Sequence, residues 1–367
     1  MAEPVVGIVT RTKNRRVLLK RALESVLSQT YPAWNLVVVN DGGDGDQVDA
    51  LVERYAAEAR GRIRVVHNAR SLGMEGASKV GLDALDTDLL IVHDDDDRWA
   101  PEFLTVAVRE LERIQQSYPS VQGVTTLVNL VMEQVQGNLV HIDSIEPFNS
   151  AVPKGLLSLD RMLSANFIPP ISFLFSRRVF DELGGIYEPV PYLGDWDFLI
   201  RFLLKYDVYV IPQYLAFYHW RSRSESGLLG NSVTGDIDRH RFVRQLLLNK
   251  WLRDDLSAGR FGVGAYANLR GHLETLVKSG EDVQYLIKTL PRPANGVAPH
   301  AAPVAADPPV GEPVAVLADD PVAAVVDELL ESAVALPDEI VPVAENGAAG
   351  NGRRHVLQRV ARRIFKG

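Results

Sequence analysis

The sequence predicts an α/β protein built on a mostly parallel sheet. Between Val5 and Tyr118, short apolar runs alternate with stretches whose apolar residues recur at helical spacing. Strands alternating with helices of this length imply βαβ units and a largely parallel sheet. The fourth run, Leu89-Leu90-Ile91-Val92-His93, leads straight into Asp94-Asp95-Asp96-Asp97. Four carboxylates then stand at the C-terminal end of a strand, where open α/β sheets bind ligands.

Val5–Thr10 reads as the first strand. Asn14 can cap the helix after it, in which Leu19, Ala22, Leu23, Val26 and Leu27 share a face. Tyr31-Pro32 ends that helix, and Asn35–Asn40 is a second buried strand closed by Asp41-Gly42-Gly43. Val48, Leu51, Val52 and Tyr55 mark a second helix, Ile63–Val66 a third strand and Gly73–Leu85 a third helix. Pro101 suits the start of a helix running to about Tyr118. Beyond Gln122 the pattern loosens. Val124–Val131 and Leu139–Ile142 read as strands joined at Gly137-Asn138, and Leu156–Leu163 as helical. Ile171–Phe175 reads as a short strand, and Val179–Leu183 as a helix stopped by Gly184-Gly185. Gly194-Asp195-Trp196-Asp197 opens a helix carrying Phe198, Leu199, Phe202 and Leu203. Val208–Ile211 and Leu215–Trp220 read as edge strands, and residues 236–290 as mostly helical.

Charge separates the remainder of the chain. Residues 291–352 hold ten acids against one base, with prolines recurring every few positions. That composition prevents regular structure and predicts a flexible, disordered acidic linker, with one short amphipathic helix at Pro321–Leu336. Residues 353–367 hold six basic residues and no acid, with Val356, Val360 and Ile364 on one helical face. A basic amphipathic helix is drawn to anionic lipid by roughly 1 kcal/mol per basic residue near the surface, or docks on the protein's own acidic surface. The net charge of −8 argues against a general nucleic-acid binder. The absence of cysteine excludes disulfides and thiolate zinc sites, and fits a reducing compartment. Met1-Ala2-Glu3-Pro4 has no basic n-region, and no apolar run approaches about 18 residues. Neither a signal peptide nor a membrane span is therefore expected.

Clustered carboxylates repel one another, most strongly where water is scarce, so a cation or cationic side chains are expected among them. Carboxylate oxygens are the ligands that Mg²⁺ and Mn²⁺ prefer. A solvated acidic turn, with Asp97 as the cap of the next helix, is the alternative. No glycine follows the first strand in Arg11-Thr12-Lys13-Asn14-Arg15-Arg16, so the dinucleotide G-x-G-x-x-G is absent. No P-loop pattern occurs either.

VVGIVTRTKNRRVLLKRALESVLSQTYPAWNLVVVNDGG, RSLGMEGASKVGLDAL, HDDDDRWAPEFL and LGDWDFLIRFL, in that order, resemble four segments of glycosyltransferase family 2, the inverting nucleotide-sugar transferases of the GT-A fold. The likeness spans Val5 to about Arg223. It implies a GT-A domain over residues 1–235, followed by a helical extension over 236–290, the linker and the basic helix. It further implies that Asp41 hydrogen-bonds the nucleotide base, that Thr10 and Arg11 lie beside base and ribose, and that Lys79 stands where the family often has Arg. Asp94 and Asp96 are the D-x-D acids that would hold Mn²⁺ or Mg²⁺ and the diphosphate. If that stretch is extended, they share a face, with Asp95 on the other toward ribose or sugar. Asp195 matches the catalytic base, with Gly194 where the family usually has a second acid, and Asp197 is the runner-up. Both acids could instead serve only as cap and first-turn residues of a helix. In Tyr218-His219-Trp220-Arg221, His219 is a candidate metal ligand and Arg221 a candidate phosphate contact.

The resemblance implies metal-dependent transfer of a sugar from a UDP- or dTDP-type donor to a glycan or lipid-linked saccharide, in bacterial cell-surface polysaccharide synthesis. The enzyme would be cytoplasmic, and peripheral on the inner face of the plasma membrane through residues 353–367. A sugar-nucleotide pyrophosphorylase would want a Gly-rich loop after the first strand, which is missing. A catalytically silent sugar- or partner-binding module would tolerate loss of the acids.

Overall fold

The computed structural model describes residues 3–260 apart from 137–138, 149–151, 153, 187–189 and 222–236, together with residues 262 and 273. The expected linker, the basic helix and the Gly137-Asn138 turn lie outside the described residues, as does nearly all of the helical extension beyond residue 260. The chain divides into two units, Met1–Trp251 and Leu252–Gly367. The sheet belongs to the first.

The elements are β1 (Val6–Thr12), α1 (Arg16–Leu27), β2 (Trp34–Asn40), α2 (Gly45–Glu53), α3 (Ala56–Ala59), β3 (Ile63–His67), α4 (Gly73–Asp83) and β4 (Leu89–Val92). They continue with β5 (Arg98–Trp99), α5 (Phe103–Gln115), β6 (Val121–Gln136), β7 (Leu139–Pro147), β8 (Gly155–Leu156) and α6 (Leu159–Ser164). Then come β9 (Phe173–Ser176), α7 (Arg177–Glu182), α8 (Gly194–Leu203), β10 (Asp207–Arg221) and α9 (Ile237–Ser257).

The sheet runs β3-β2-β1-β4-β9-β6-β10-β5, with β7 added on β6 and β8 on β10. The four strands β3, β2, β1 and β4 are parallel, as the alternation predicts. Their register sets Ile8 beside Leu36 and Ile91, so the C-terminal ends of β1, β2 and β4 form one rim. Thr12, Asp41 and the acid run all leave the sheet there. β9 is antiparallel to both β4 and β6. The two edge strands expected near residues 208–220 are instead one strand, β10, which lies inside the sheet between β6 and β5. Pro212 falls at a register irregularity between Ile211 and Tyr214, where a missing N–H donor is tolerated. That break divides one strand into two apolar runs.

Each face of the sheet buries its own core. Leu19, Leu23 and Val26 of α1 pack on one side with Phe103, Leu104, Ala107 and Leu111 of α5. Ala77 and Leu82 of α4 pack on the other with Phe198, Leu199 and Phe202 of α8. Close approach of α4 to β1 depends on Gly81, where a Cβ would stand 2.4 Å from Val9 Cγ1. Val243 and Leu247 of α9 are buried in this second core, and Trp251 packs edge-on to Trp196. The first unit therefore runs past the expected boundary at residue 235. Asn14 does not cap α1. It takes a left-handed φ of 55°, which Asn tolerates, and its Oδ1 accepts the Asp44 N–H at 2.8 Å.

Candidate active site

The acid run is a turn. After His93 the chain folds so that the Asp97 N–H donates to the Asp94 carbonyl at 3.2 Å. His93 is buried and rests edge-on against Trp99, with ring centroids 4.3 Å apart. Burial lowers its pKa to about 4, so it stays neutral. The turn carries Asp97 back towards Asp94, and carboxylate oxygens of Asp94, Asp96 and Asp97 lie within 4.8 Å of one another. Asp97 departs from its expected role. It is not a helix cap, because α5 begins only at Phe103. It is fully buried, one oxygen accepts the His219 backbone N–H at 2.8 Å, and Oδ2 has no hydrogen-bond partner. Burial, with Asp96 and Asp94 nearby, raises its pKa well above the usual carboxylate range.

Guanidinium groups from separate elements converge on this turn. Arg11 pairs with Asp94 at 2.9 Å and also donates to the Ser78 hydroxyl. Arg15 reaches Asp95 at 3.2 Å and Asp96 at 3.5 Å, and Arg221 closes on Asp96 from β10. Burial opposes ionisation of Asp96, but Arg221 and Arg15 outweigh it and hold its pKa below the ordinary value. Asp94 is pushed by burial to about 6 despite Arg11, with Asp96 and Asp95 adding to the rise. Asp95, expected towards ribose or sugar, accepts the Thr12 hydroxyl at 2.7 Å and is only 3% exposed.

Behind the turn lies a charged network that local sequence pattern does not disclose. Glu133 is buried in β6 and accepts from Arg21 at 2.6 Å, Arg221 at 2.7 Å and His219 Nδ1 at 2.7 Å. Burial opposes its ionisation. The hydrogen bonds from His219 and Arg21 nonetheless hold its pKa well below the usual range. His219 is kept neutral by burial, with a pKa of about 4. Its ring faces Glu133, and the convergent acid group does not include it.

At the β2 end, Asp41 accepts four hydrogen bonds. Its donors are Asn68 Nδ2 (2.9 Å), the Leu72 N–H (2.8 Å), the Ser71 hydroxyl (2.6 Å) and the Gly73 N–H (3.0 Å). Burial works against its ionisation, but these donors prevail and lower its pKa. The carboxylate thus fastens the loop that starts α4. Thr10 is buried inside β1 with its hydroxyl unpartnered, and Thr12 at the strand end is the hydroxyl that meets the acids. Lys79 turns outward and pairs with Asp83 one helical turn on. The residue of α4 that faces Arg11 is its neighbour Ser78.

Asp195 and Asp197 begin α8 but are two residues apart, which on a helix places them on different sides. Asp197 is buried in the scaffold, paired with Arg201 Nε at 2.7 Å and accepting from Trp251 Nε1 at 3.2 Å. Asp195 is half-buried and accepts from Asn166 Nδ2 at 3.1 Å. Burial raises its pKa, opposed by Asn166, the Trp196 N–H, Arg11 and His240. Arg11 feels both Asp94 and Asp195, which ties the strand-end turn to the helix start. Glu75 of α4, unnoticed in the sequence, accepts the Gly194 N–H at 3.0 Å. Burial first and Asp195 next push its pKa up to about 8.

The donor set fits a hard divalent cation. Three carboxylates converge, and a fully buried oxygen of one of them is otherwise unsatisfied. Asp94, Asp96 and Asp97 are the residues that would hold it.

The mostly parallel sheet, with these acids at its strand ends and Asp195 at a helix start, has the GT-A arrangement that the sequence resemblance implies. Residues 7–184 match the family model described as Glycosyl transferase family 2, and this part of the chain belongs to that family. An uncharacterized glycosyltransferase, YwdF of Bacillus subtilis, is 24% identical over 207 residues, covering 56% of this chain and 71% of the relative. A PGL/p-HBAD biosynthesis glycosyltransferase of Mycobacterium tuberculosis is 26% identical over 202 residues, covering 55% and 70%. Among solved structures, the mannosyltransferase PcManGT of Pyrobaculum calidifontis, in complex with GDP-Man and Mn²⁺, superposes with a TM-score of 0.45 at 18% identity. That match covers 59% of this chain and spans 57% of the mannosyltransferase.

Proposed function

We propose that the protein transfers a sugar, with inversion, from a UDP- or dTDP-type nucleotide diphosphate sugar to a hydroxyl of a glycan or lipid-linked saccharide. The observation that supports this best is Arg11, whose charge is shared between Asp94 of the strand-end turn and Asp195 of the helix start. Arg11 thus pairs with the cation-binding end and feels the charge of the proposed base, the two parts that a direct displacement needs.

Asp195 accepts the proton of the attacking hydroxyl. Burial raises its proton affinity, which suits a base working near neutral pH, and Asn166 orients it. Asp94, Asp96 and Asp97 would hold Mn²⁺ or Mg²⁺, which would supply charge stabilisation to the departing diphosphate. Arg15 and Arg221 already neutralise Asp96 and are placed to share phosphate charge. Asp41 acts on the nucleotide by shaping the Asn68–Gly73 loop, and it meets the base by exchanging one of its four donors.

The name of the mycobacterial relative, which places it in PGL/p-HBAD biosynthesis, supports a role in building glycoconjugates. No described helix is long and apolar enough to cross a membrane. The basic residues 353–367 are our candidate for bringing the enzyme to anionic lipid. Deleting them should weaken sedimentation with anionic liposomes and leave turnover of a soluble acceptor intact. Unchanged sedimentation contradicts the lipid role.

A thermal-shift screen of UDP-, dTDP- and GDP-sugars tests the donor class, since a ligand of the native state raises its melting temperature. A UDP- or dTDP-sugar should raise it only with Mn²⁺ or Mg²⁺, and D96A should abolish the rise. A shift that is independent of metal and survives in D96A overturns the reading.

A further inference from the structure

Helix α8 starts without the usual means. The residue before it, Leu193, is left-handed at φ 64°, a conformation that a branched side chain rarely adopts, and it makes no side-chain cap to the first turn. The first turn nonetheless has a partner. Glu75, from the first turn of α4, passes its carboxyl to the start of α8 and accepts the Gly194 N–H at 3.0 Å. Glu75 is only 5% exposed. It fits because position 194 has no side chain. A Cβ there would stand 2.7 Å from Glu75 Cδ and 2.8 Å from Oε2. The donor and the notch therefore belong to one glycine, and Asp195 is the next residue along.

The other end of α4's first turn is held equally firmly. Asp41 accepts the Leu72 and Gly73 N–H groups at the entry to α4, two residues before Glu75. A short chain of contacts thus runs from Asp41 at the end of β2, through the first turn of α4, to the start of α8. The charged groups whose fields reach Glu75 are Arg11 of β1, Asp195 of α8 and Asp94 of the strand-end turn.

We propose that Glu75 is the positioning residue for Asp195: seated in the Gly194 notch, its carboxyl caps α8 from another helix and sets where the Asp195 carboxylate points. This rests on Asp195 being the base. Glu75 itself touches no reacting atom. Its contribution is geometric, and a displacement of about 1 Å at a catalytic group can cost up to about 100-fold in rate.

The test compares E75A, E75Q, G194A and D195N in the full chain, by hydrolysis of UDP-glucose, UDP-N-acetylglucosamine and dTDP-rhamnose with Mn²⁺. UDP affinity is titrated and melting temperature recorded for each. E75A should lower kcat roughly 10- to 100-fold with KM and UDP affinity little changed. G194A should reproduce that loss with Glu75 still present, because its Cβ expels the carboxyl. E75Q keeps the carbonyl acceptor and the shape, and should recover most of the loss. The comparison of G194A with E75Q stands even where E75A folds poorly. The proposal is overturned if E75A and G194A keep the parent kcat while D195N is inactive, or if E75Q is as impaired as E75A. An active D195N overturns the base assignment and this proposal with it, so the two failures are distinguishable.

Discussion

Two places in this molecule crowd carboxylates together, and they are neutralised in different ways. At the turn after β4, four consecutive acids meet Arg11, Arg15, Arg21 and Arg221, drawn from three separate elements and one connection. At the start of α8, Asp197 is tied locally, to Arg201 one turn on and to Trp251, while Asp195 receives an amide and no salt bridge among the described contacts. The first region is an electrostatic assembly that several elements distant in the chain must bring together. The second is one acid fixed in the scaffold and one presented. The contrast teaches that the role of an acid follows from what neutralises it. Where cationic side chains converge on the acids, as at the turn after β4, a metal and phosphate site is what we propose. Where no side-chain salt bridge is described for a half-buried acid, as at Asp195, a base is what we propose.

Removing an acid from the assembly should have the largest effect. D96A should lower metal-dependent donor turnover about 1,000-fold, the size of several kcal/mol of lost charge stabilisation in the transition state. A rate within tenfold of the parent would place the cation elsewhere. D197A should act on the other kind of acid and cost stability instead. Breaking a buried ion pair typically costs about 3–5 kcal/mol, and since Arg201 remains partly solvated the expected loss is about 2 kcal/mol. At about 2–4 °C per kcal/mol for a unit of this size, the melting temperature should fall by roughly 4–8 °C, with kcat within a few-fold of the parent. A stable but inactive D197A would reverse the assignment of the two aspartates.

The smallest effect concerns pH. The Glu75 pKa is raised from 4.5 to about 8, so its stabilising effect is fully present below about pH 4.5 and fades as pH rises through 8. Asp94, raised to about 6, acts in the same sense over a lower window. Glu133 has the opposite sign, since its pKa is depressed. Its stabilising effect is present above pH 4.5 and is lost on acidification. In metal-free buffer, E75Q should therefore flatten the fall in melting temperature between about pH 5 and 8 and leave the acid limb as it is. An unchanged slope in E75Q would contradict the buried, proton-retaining state of that carboxyl.

Much of this is legible in the sequence, and the parts that are not share a cause. The parallel half follows from local periodicity, and Asp94, Asp96, Arg11 and Asp195 stand in stretches whose order is itself informative. Reading Asp97 as the cap of the next helix misplaces it, because the acids form a turn that carries it back towards Asp94. The family pattern points to Lys79 where the structure uses its neighbour Ser78, since one residue along a helix turns the side chain by about 100°. Arg21, Glu133 and Glu75 leave no local trace, because their partners lie far away in the chain: Arg21 is 112 residues from Glu133, and Glu75 is 119 residues from Gly194. The one signal for Glu75 is indirect, a glycine where an acid is expected beside Asp195.

The claim that Asp195 and the strand-end acids form one transfer site is tested most directly by D195N. Its amide keeps the size and the Asn166 contact while removing the base. Single-turnover donor consumption, measured alongside UDP affinity in the presence of Mn²⁺, should fall about 100- to 10,000-fold with nucleotide affinity unchanged. A single-turnover rate equal to the parent's would contradict the account.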